Sequence, residues 1–218
     1  MIKYRYLSYF MNAETPLYGG EKGIEVQPLN QIPKGDTANT KSIQLHNHSG
    51  THIDFPNHFI AKGKTSSDYD ASFWHFQSPY LYKRTANHNE IINLTQEDLK
   101  TIPSETDFLI IKTGFGQYRG QEKYWKFNPG LSPESANALR EQLPNLRVVG
   151  MDFISLTSFQ NRPLGRVAHR AFLGGDRPLL LVEDMDLSRL DAHPKKMICT
   201  PLMIEKLDGC PVTVIAEV

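Results

Sequence analysis

His46-Asn47-His48-Ser49-Gly50-Thr51-His52-Ile53-Asp54-Phe55-Pro56-Asn57-His58-Phe59 gathers four of the chain's eight histidines into fourteen residues. His48 and His52 are four apart, a spacing that two ligands on one helix face would have. The residues between them oppose a helix. Ser49-Gly50-Thr51 is a poor helix interior, Ile53 is β-branched, and Pro56 forbids continuation. Ser49 also follows His48 where a zinc-protease helix carries its catalytic Glu. The segment therefore reads as extended. Alternation then puts His46, His48, His52 and Asp54 on one face, with Gly50 leaving room between them. Two imidazoles and a carboxylate converging on one point are ligands for Zn²⁺, Mn²⁺ or Fe²⁺. His46 by itself reads as a structural or supporting residue. His58, past the proline, stays close enough in sequence to overhang the same pocket.

Outward from this segment the chain alternates loosely between strands and helices. Ile2 to Phe10 is rich in β-formers and ends in the turn residues Asn12 to Pro16 and Gly19-Gly20. Ser42 to Leu45 opens the extended run that leads into the histidines. Residues 61–70 read as a surface loop. Thr95 is an N-cap candidate for a short helical turn, with Asp98 three residues on. Phe108-Leu109-Ile110-Ile111, Arg147 to Gly150, Pro178 to Val182 and Val212 to Val218 read as strands, the first and third of them buried. The clearest helix is 133–143, capped by Ser132, with Pro133 at its first position and Pro144 just beyond its end. The class is mixed α/β.

The 218 residues suit one compact domain. Apolar residues make up 39 % and charged residues 22 %, ordinary values for a globular protein. Lys plus Arg equals Asp plus Glu at 24 each, and there is no basic block. No net field favours nucleic acid or an anionic membrane. Cys199 and Cys210 read as buried free thiols, not as a disulfide framework or a zinc finger. The sequence shows no signal peptide and no apolar run of the roughly 20 residues that a membrane span needs, so a cytoplasmic location is expected. There is no G-x-S-x-G pattern for a serine nucleophile. Phe55, Phe59, Trp74 and Phe76 lie near the histidines in sequence, and Phe55 and Trp74 are candidates for stacking against an aromatic substrate, although rings at this density are commonly core.

His48 to His58 resembles the HxGTHxDxPxH signature of the cyclase family, whose members include bacterial kynurenine formamidases. The likeness extends through Leu7-Ser8 and Thr15 to Gly20, Ile111 to Phe115, Leu131 to Leu143, Val149 to Ser155, His169 to Leu173, Leu181 to Glu183 and Thr200 to Leu202. It implies a single domain over residues 1–218, with a mixed, barrel-like sheet core and flanking helices in a swivelling β/β/α arrangement. It implies that His48, His52 and Asp54 bind metal, joined by His169 and Glu183, so that one or two ions share Asp54. Zn²⁺ is the first expectation and Mn²⁺ the second. His58 would be the acid/base, and activated water would attack a small amide. An aryl formamide such as N-formylkynurenine is the leading substrate, and a cyclic amide or lactone such as isatin, or a non-catalytic metal-binding role, is the alternative. A homodimer or larger oligomer is also implied. The chain departs from the family pattern in three places. It carries two extra residues between His169 and Glu183, with Asp184 as a rival ligand. Phe55 stands where Ala is usual, and Thr157 where many members have Asp.

Overall fold

The apolar run Phe108 to Ile111 is an inner strand of the main sheet, and all four side chains are fully buried. A strand covered on both faces has no polar side to present, which is why it reads as continuous rather than alternating. The computed structural model describes residues 2–21 and 23–218. In chain order the strands are β1 (Tyr4–Tyr6), β2 (Ile24–Asn30), β3 (Thr40–Leu45), β4 (His52–Asp54), β5 (His75–Phe76), β6 (Pro79–Lys83), β7 (Ile91–Ile92), β8 (Phe108–Lys112), β9 (Gly130–Leu131), β10 (Val148–Met151), β11 (Leu180–Glu183), β12 (Lys196–Pro201) and β13 (Gly209–Glu217). The α-helices are α1 (Gln96–Leu99), α2 (Glu122–Lys126), α3 (Pro133–Gln142) and α4 (Arg162–Leu173).

Among the described residues nine strands form one sheet in the order β5-β12-β13-β4-β11-β10-β8-β6, with β1 added on β13. β6, β8, β10 and β11 run parallel to one another. β4 runs antiparallel to both of its neighbours, β11 and β13. The two ends of this path, β5 and β6, are separated in sequence only by Gln77-Ser78, so the sheet curls back on itself into a nearly closed barrel. Curling hides edge strands that would otherwise template aggregation. Phe76 on β5 meets Phe108 on β8 edge-on, with ring centroids 4.9 Å apart.

Parallel neighbours need long crossovers, and helices supply two of them. α3 lies between β8 and β10 in the chain, α4 between β10 and β11, and the two helices pack on each other. α3 begins as its sequence foretells: Ser132 Oγ accepts from the Ser135 amide and Pro133 takes the first turn. Thr95 and Asp98 form a reciprocal capping box on α1. α4 has no side-chain cap, and its start at Arg162-Pro163 is inconspicuous in sequence. The expected first strand, Ile2 to Phe10, shortens to β1, because its partner β13 ends at Glu217 opposite Tyr4 and the chain leaves the ladder after Leu7 donates to Val214. β2 and β3 form a separate hairpin that stands in solvent. Cys199 and Cys210 are buried and unbridged. Among the described residues, no helix is long and apolar enough to cross a membrane.

Candidate metal centre

β4 is only three residues long. Alternation sends His52 and Asp54 to one face and the fully buried Ile53 to the other. The extended reading of the whole 46–54 segment holds for that pair alone. β3 ends at Leu45, the chain then turns, and Gly50 has φ 61°, in the left-handed region that suits glycine. This turn, rather than strand parity, folds His48 back over Asp54, with Nδ1 2.9 Å from Oδ1. His46 is exposed and stands outside the cluster. Gly209, opposite Asp54 in the β4–β13 register, leaves the space that the His48 ring fills; a Cβ there would lie 2.3 Å from that ring.

Glu183 ends β11 directly across from His52. His169 arrives from the last turns of α4. Together they make a ring of four long approaches. His52 Nε2 lies 3.5 Å from Asp54 Oδ1 and 3.4 Å from Glu183 Oε2. His169 Nε2 lies 3.5 Å from Asp54 Oδ2 and 3.5 Å from Glu183 Oε1. The opposite ring nitrogens are already committed. His52 Nδ1 is 2.8 Å from the Gly50 carbonyl, and His169 Nδ1 is 3.0 Å from the Gly165 carbonyl and from Thr157 Oγ1. A carbonyl only accepts, so each Nδ1 carries a hydrogen, and in the neutral ring each Nε2 presents a lone pair. With carboxylate oxygens opposite, each Nε2 either carries a proton toward them or gives its lone pair to a cation.

A divalent cation between them would take the place of such protons. Tetrahedral coordination at bond lengths of about 2.1 Å puts neighbouring donors about 3.4 Å apart, the separation seen here. The donor chemistry therefore fits a divalent metal. The histidines respond to the same excess of negative charge. Burial would lower the pKa of His48, but Asp54 and Asp208 outweigh it and raise it to about 10. Burial likewise works against His169, and Asp54 and Glu183 raise it to about 9. For Asp54, burial opposes the charge, yet His48 leads a set of partners that hold its carboxyl well below the usual range. Among the described residues two ligand groups share Asp54, one with His48 and His58 and one with His52 and Glu183.

Supporting contacts lock the set. Glu183 Oε1 accepts from the Leu156 amide at 2.7 Å and from Ser155 Oγ at 3.3 Å. Asp184 does not compete. Its φ of 52° turns it to the other side, where Arg119 grips it and Tyr124 donates to it at 2.6 Å. Thr157, the departure from the family pattern, keeps a hydroxyl on His169. Phe59 stacks on the His169 ring at 4.4 Å.

His58 closes a 3₁₀ turn, Pro56–His58, and its Nδ1 lies 2.9 Å from Asp208 Oδ2. The same oxygen is 3.0 Å from His48 Nε2, and Asn47 Nδ2 donates to Asp208 Oδ1 at 2.7 Å. Burial lowers the His58 pKa, which favours a neutral ring able to accept a proton. Asp208 is the residue of this cluster that sequence reasoning missed. It precedes β13, and no local pattern marks it.

The centre opens into a cavity of about 550 Å³. Phe55 and Trp74, the expected substrate contacts, do not line it. Phe55 follows Asp54 on an extended backbone, so its side chain points away, and it is fully buried against Tyr69 and Trp74. The aromatic rings in the cavity wall are Tyr18, Phe59 and Phe159.

The family model described as "Putative cyclase" matches residues 6–157. The chain belongs to the cyclase family. That match takes in the 48–58 signature, while His169, Glu183 and Asp208 lie beyond it. Cyclase-like protein 1 of Arabidopsis thaliana is 23 % identical over 94 % of this chain and 81 % of its own length. The kynurenine formamidase of Bacillus cytotoxicus is 22 % identical over 96 % of this chain and 94 % of its own. Among solved structures, isatin hydrolase A from Labrenzia aggregata, bound to benzyl benzoate, superposes with a TM-score of 0.82 at 20 % identity, covering 100 % of this chain and 94 % of that one. The shared fold is the nearly closed barrel of this cyclase-family chain.

Proposed function

We propose that this cyclase-family protein is a metal-dependent amidohydrolase that cleaves a C–N bond in a small amide, an aryl formamide such as N-formylkynurenine being the first candidate. One observation carries the reading. Two imidazole lone pairs and two carboxylates converge at 3.4–3.5 Å, beside a histidine that has its own carboxylate partner, at the floor of an open cavity.

His52, Asp54, His169 and Glu183, with His48, would hold one or two divalent ions, Zn²⁺ or Mn²⁺. Such an ion supplies Lewis acidity, which polarises a carbonyl and activates water. The protein's own groups do the rest. The Gly50 and Gly165 carbonyls fix the tautomers of His52 and His169. Asp208 holds the proton on His58 Nδ1, which leaves Nε2 to take a proton from water and pass it to the departing nitrogen. The formamidase relative supports a formamide substrate. The fold shared with an isatin hydrolase supports a cyclic amide as the second reading, and the same centre serves both. The reading includes a homo-oligomer, supported by Val26, Leu29 and Ile43 exposed on the β2–β3 hairpin; sedimentation velocity tests it.

The deciding experiment is hydrolysis of N-formylkynurenine and of isatin by protein loaded in parallel with Zn²⁺ and Mn²⁺. Turnover of the formamide that a chelator abolishes supports the first reading. Turnover of isatin alone moves the assignment to cyclic amides. Inactivity on both, with metal shown to be bound, rejects both substrates.

A further inference from the structure

We propose that the cavity selects a substrate bearing a carboxylate, held by Arg162 and Arg166. The inference rests on the hydrolase reading and adds to it the side chains that would hold the substrate's anionic group, which neutral isatin lacks.

Arg162, Arg166 and His169 share one face of α4, at positions i, i+4 and i+7. His169 faces Asp54 and Glu183, and both arginines line the same cavity as it does. At 1.5 Å per residue the guanidinium-bearing positions lie about 5 and about 10 Å along the helix from His169. A benzene ring spans that interval, so an aryl amide reacting at the centre would carry its anionic substituent to the arginines.

Neither arginine is held in an ion pair. Among the described residues, the Lys and Arg side chains in ion pairs are Arg84, Lys100, Lys112, Arg119, Lys126 and Arg147. Glu21 also lines the cavity but makes no ion pair with Arg162 or Arg166. Arg162 is set in place without being used up. Its Cζ sits 3.9 Å from the Phe159 ring centroid and 5.9 Å from that of Tyr18. Stacking engages the face of a guanidinium and leaves its in-plane donors free for a carboxylate fork. The Tyr18 hydroxyl is buried, lines the same cavity, and has no hydrogen-bond partner among the described residues. Arg162 lies beside that hydroxyl, so a carboxylate held at the guanidinium can also accept from Tyr18.

The test compares two formamides that differ in one charge, N-formyl-4-aminobenzoate and neutral formanilide, with the metal-loaded full chain. We expect the ratio of their kcat/KM values to favour the anion and to fall about tenfold or more in Arg162→Met/Arg166→Met, the loss appearing in KM. Arg170→Met removes an equal charge from the same helix outside the cavity and should keep the wild-type ratio. An unchanged ratio in the double variant, or an equal fall in Arg170→Met, overturns the proposal. If neither formamide turns over, the hydrolase reading is what fails, and calorimetric titration with 4-aminobenzoate still decides this inference. A Kd about tenfold weaker in the double variant supports it, and an equal Kd overturns it.

Discussion

His58 Nδ1 and Asp208 Oδ2 stand 2.9 Å apart although 150 residues separate them. The carboxylate fixes which ring nitrogen of His58 carries the hydrogen and aims the other at the cavity. Loss of such an outer partner costs about 10–100-fold. Asp208→Ala should lose that much in kcat while keeping its metal, and Asp208→Glu should recover part of it. Metal content falling in step with activity would show that Asp208 acts through His48 instead, the other ring it touches.

His58→Ala should retain metal and lose about 10²–10⁴ in rate, the usual worth of a positioned acid/base. Metal analysis beside steady-state kinetics checks this. A variant that loses metal and rate together makes His58 a ligand.

His52→Ala, Asp54→Ala, His169→Ala and Glu183→Ala should each bind less metal after dialysis. In the wild type, stripping with a chelator should lower the melting temperature by about 5–10 °C, since an ion at 100 times its Kd contributes about 2.7 kcal/mol and a domain of this size shifts 2–4 °C per kcal/mol. Melting that ignores the chelator would mean that no ion is bound to the folded state.

Gly209→Ala should disturb the centre without replacing any ligand. Its methyl would occupy the place of the His48 ring. An ångström of misplacement can cost about 10² in rate, so a variant with normal kcat would show that His48 has slack the structure does not suggest.

Arg119→Met should destabilise the fold by about 3–5 kcal/mol, because it strands the buried Asp184 carboxylate. Urea unfolding measures this. Arg119→Met/Asp184→Asn should regain part of the loss by removing the stranded charge, and a double variant no more stable than the single one would assign the cost to packing.

Much of this cluster was legible because most of its residues are local. His48, His52, Asp54 and His58 sit within eleven residues, and proline and glycine punctuate them in a way that excludes a helix. What failed was geometry. Strict alternation cannot pass through Gly50 at positive φ, and nothing in the segment announces that turn. The strands at Phe108, Val148 and Leu180 were legible because parallel strands buried on both faces leave unbroken apolar runs. α4 was not, since it has no cap and its polar face is spent lining a cavity. Phe55 and Trp74 misled for a general reason: nearness in sequence to a ligand says little about which side of a strand a ring occupies. Asp208 carries no motif at all, and only the β4–β13 register brings it to His58.

β4 has consequences for the order of events in folding. It is held by β11 on one side and β13 on the other, elements whose paired residues lie 127 to 159 positions further along. Pairings of that span form late, after long loops have closed. An incompletely folded chain therefore offers a metal only the loose 46–58 histidines, without Glu183 or Asp208 in place. Uptake of the ion at the full site becomes one of the last steps of maturation, and metal added early in refolding should bind weakly and exchange freely until the barrel has closed.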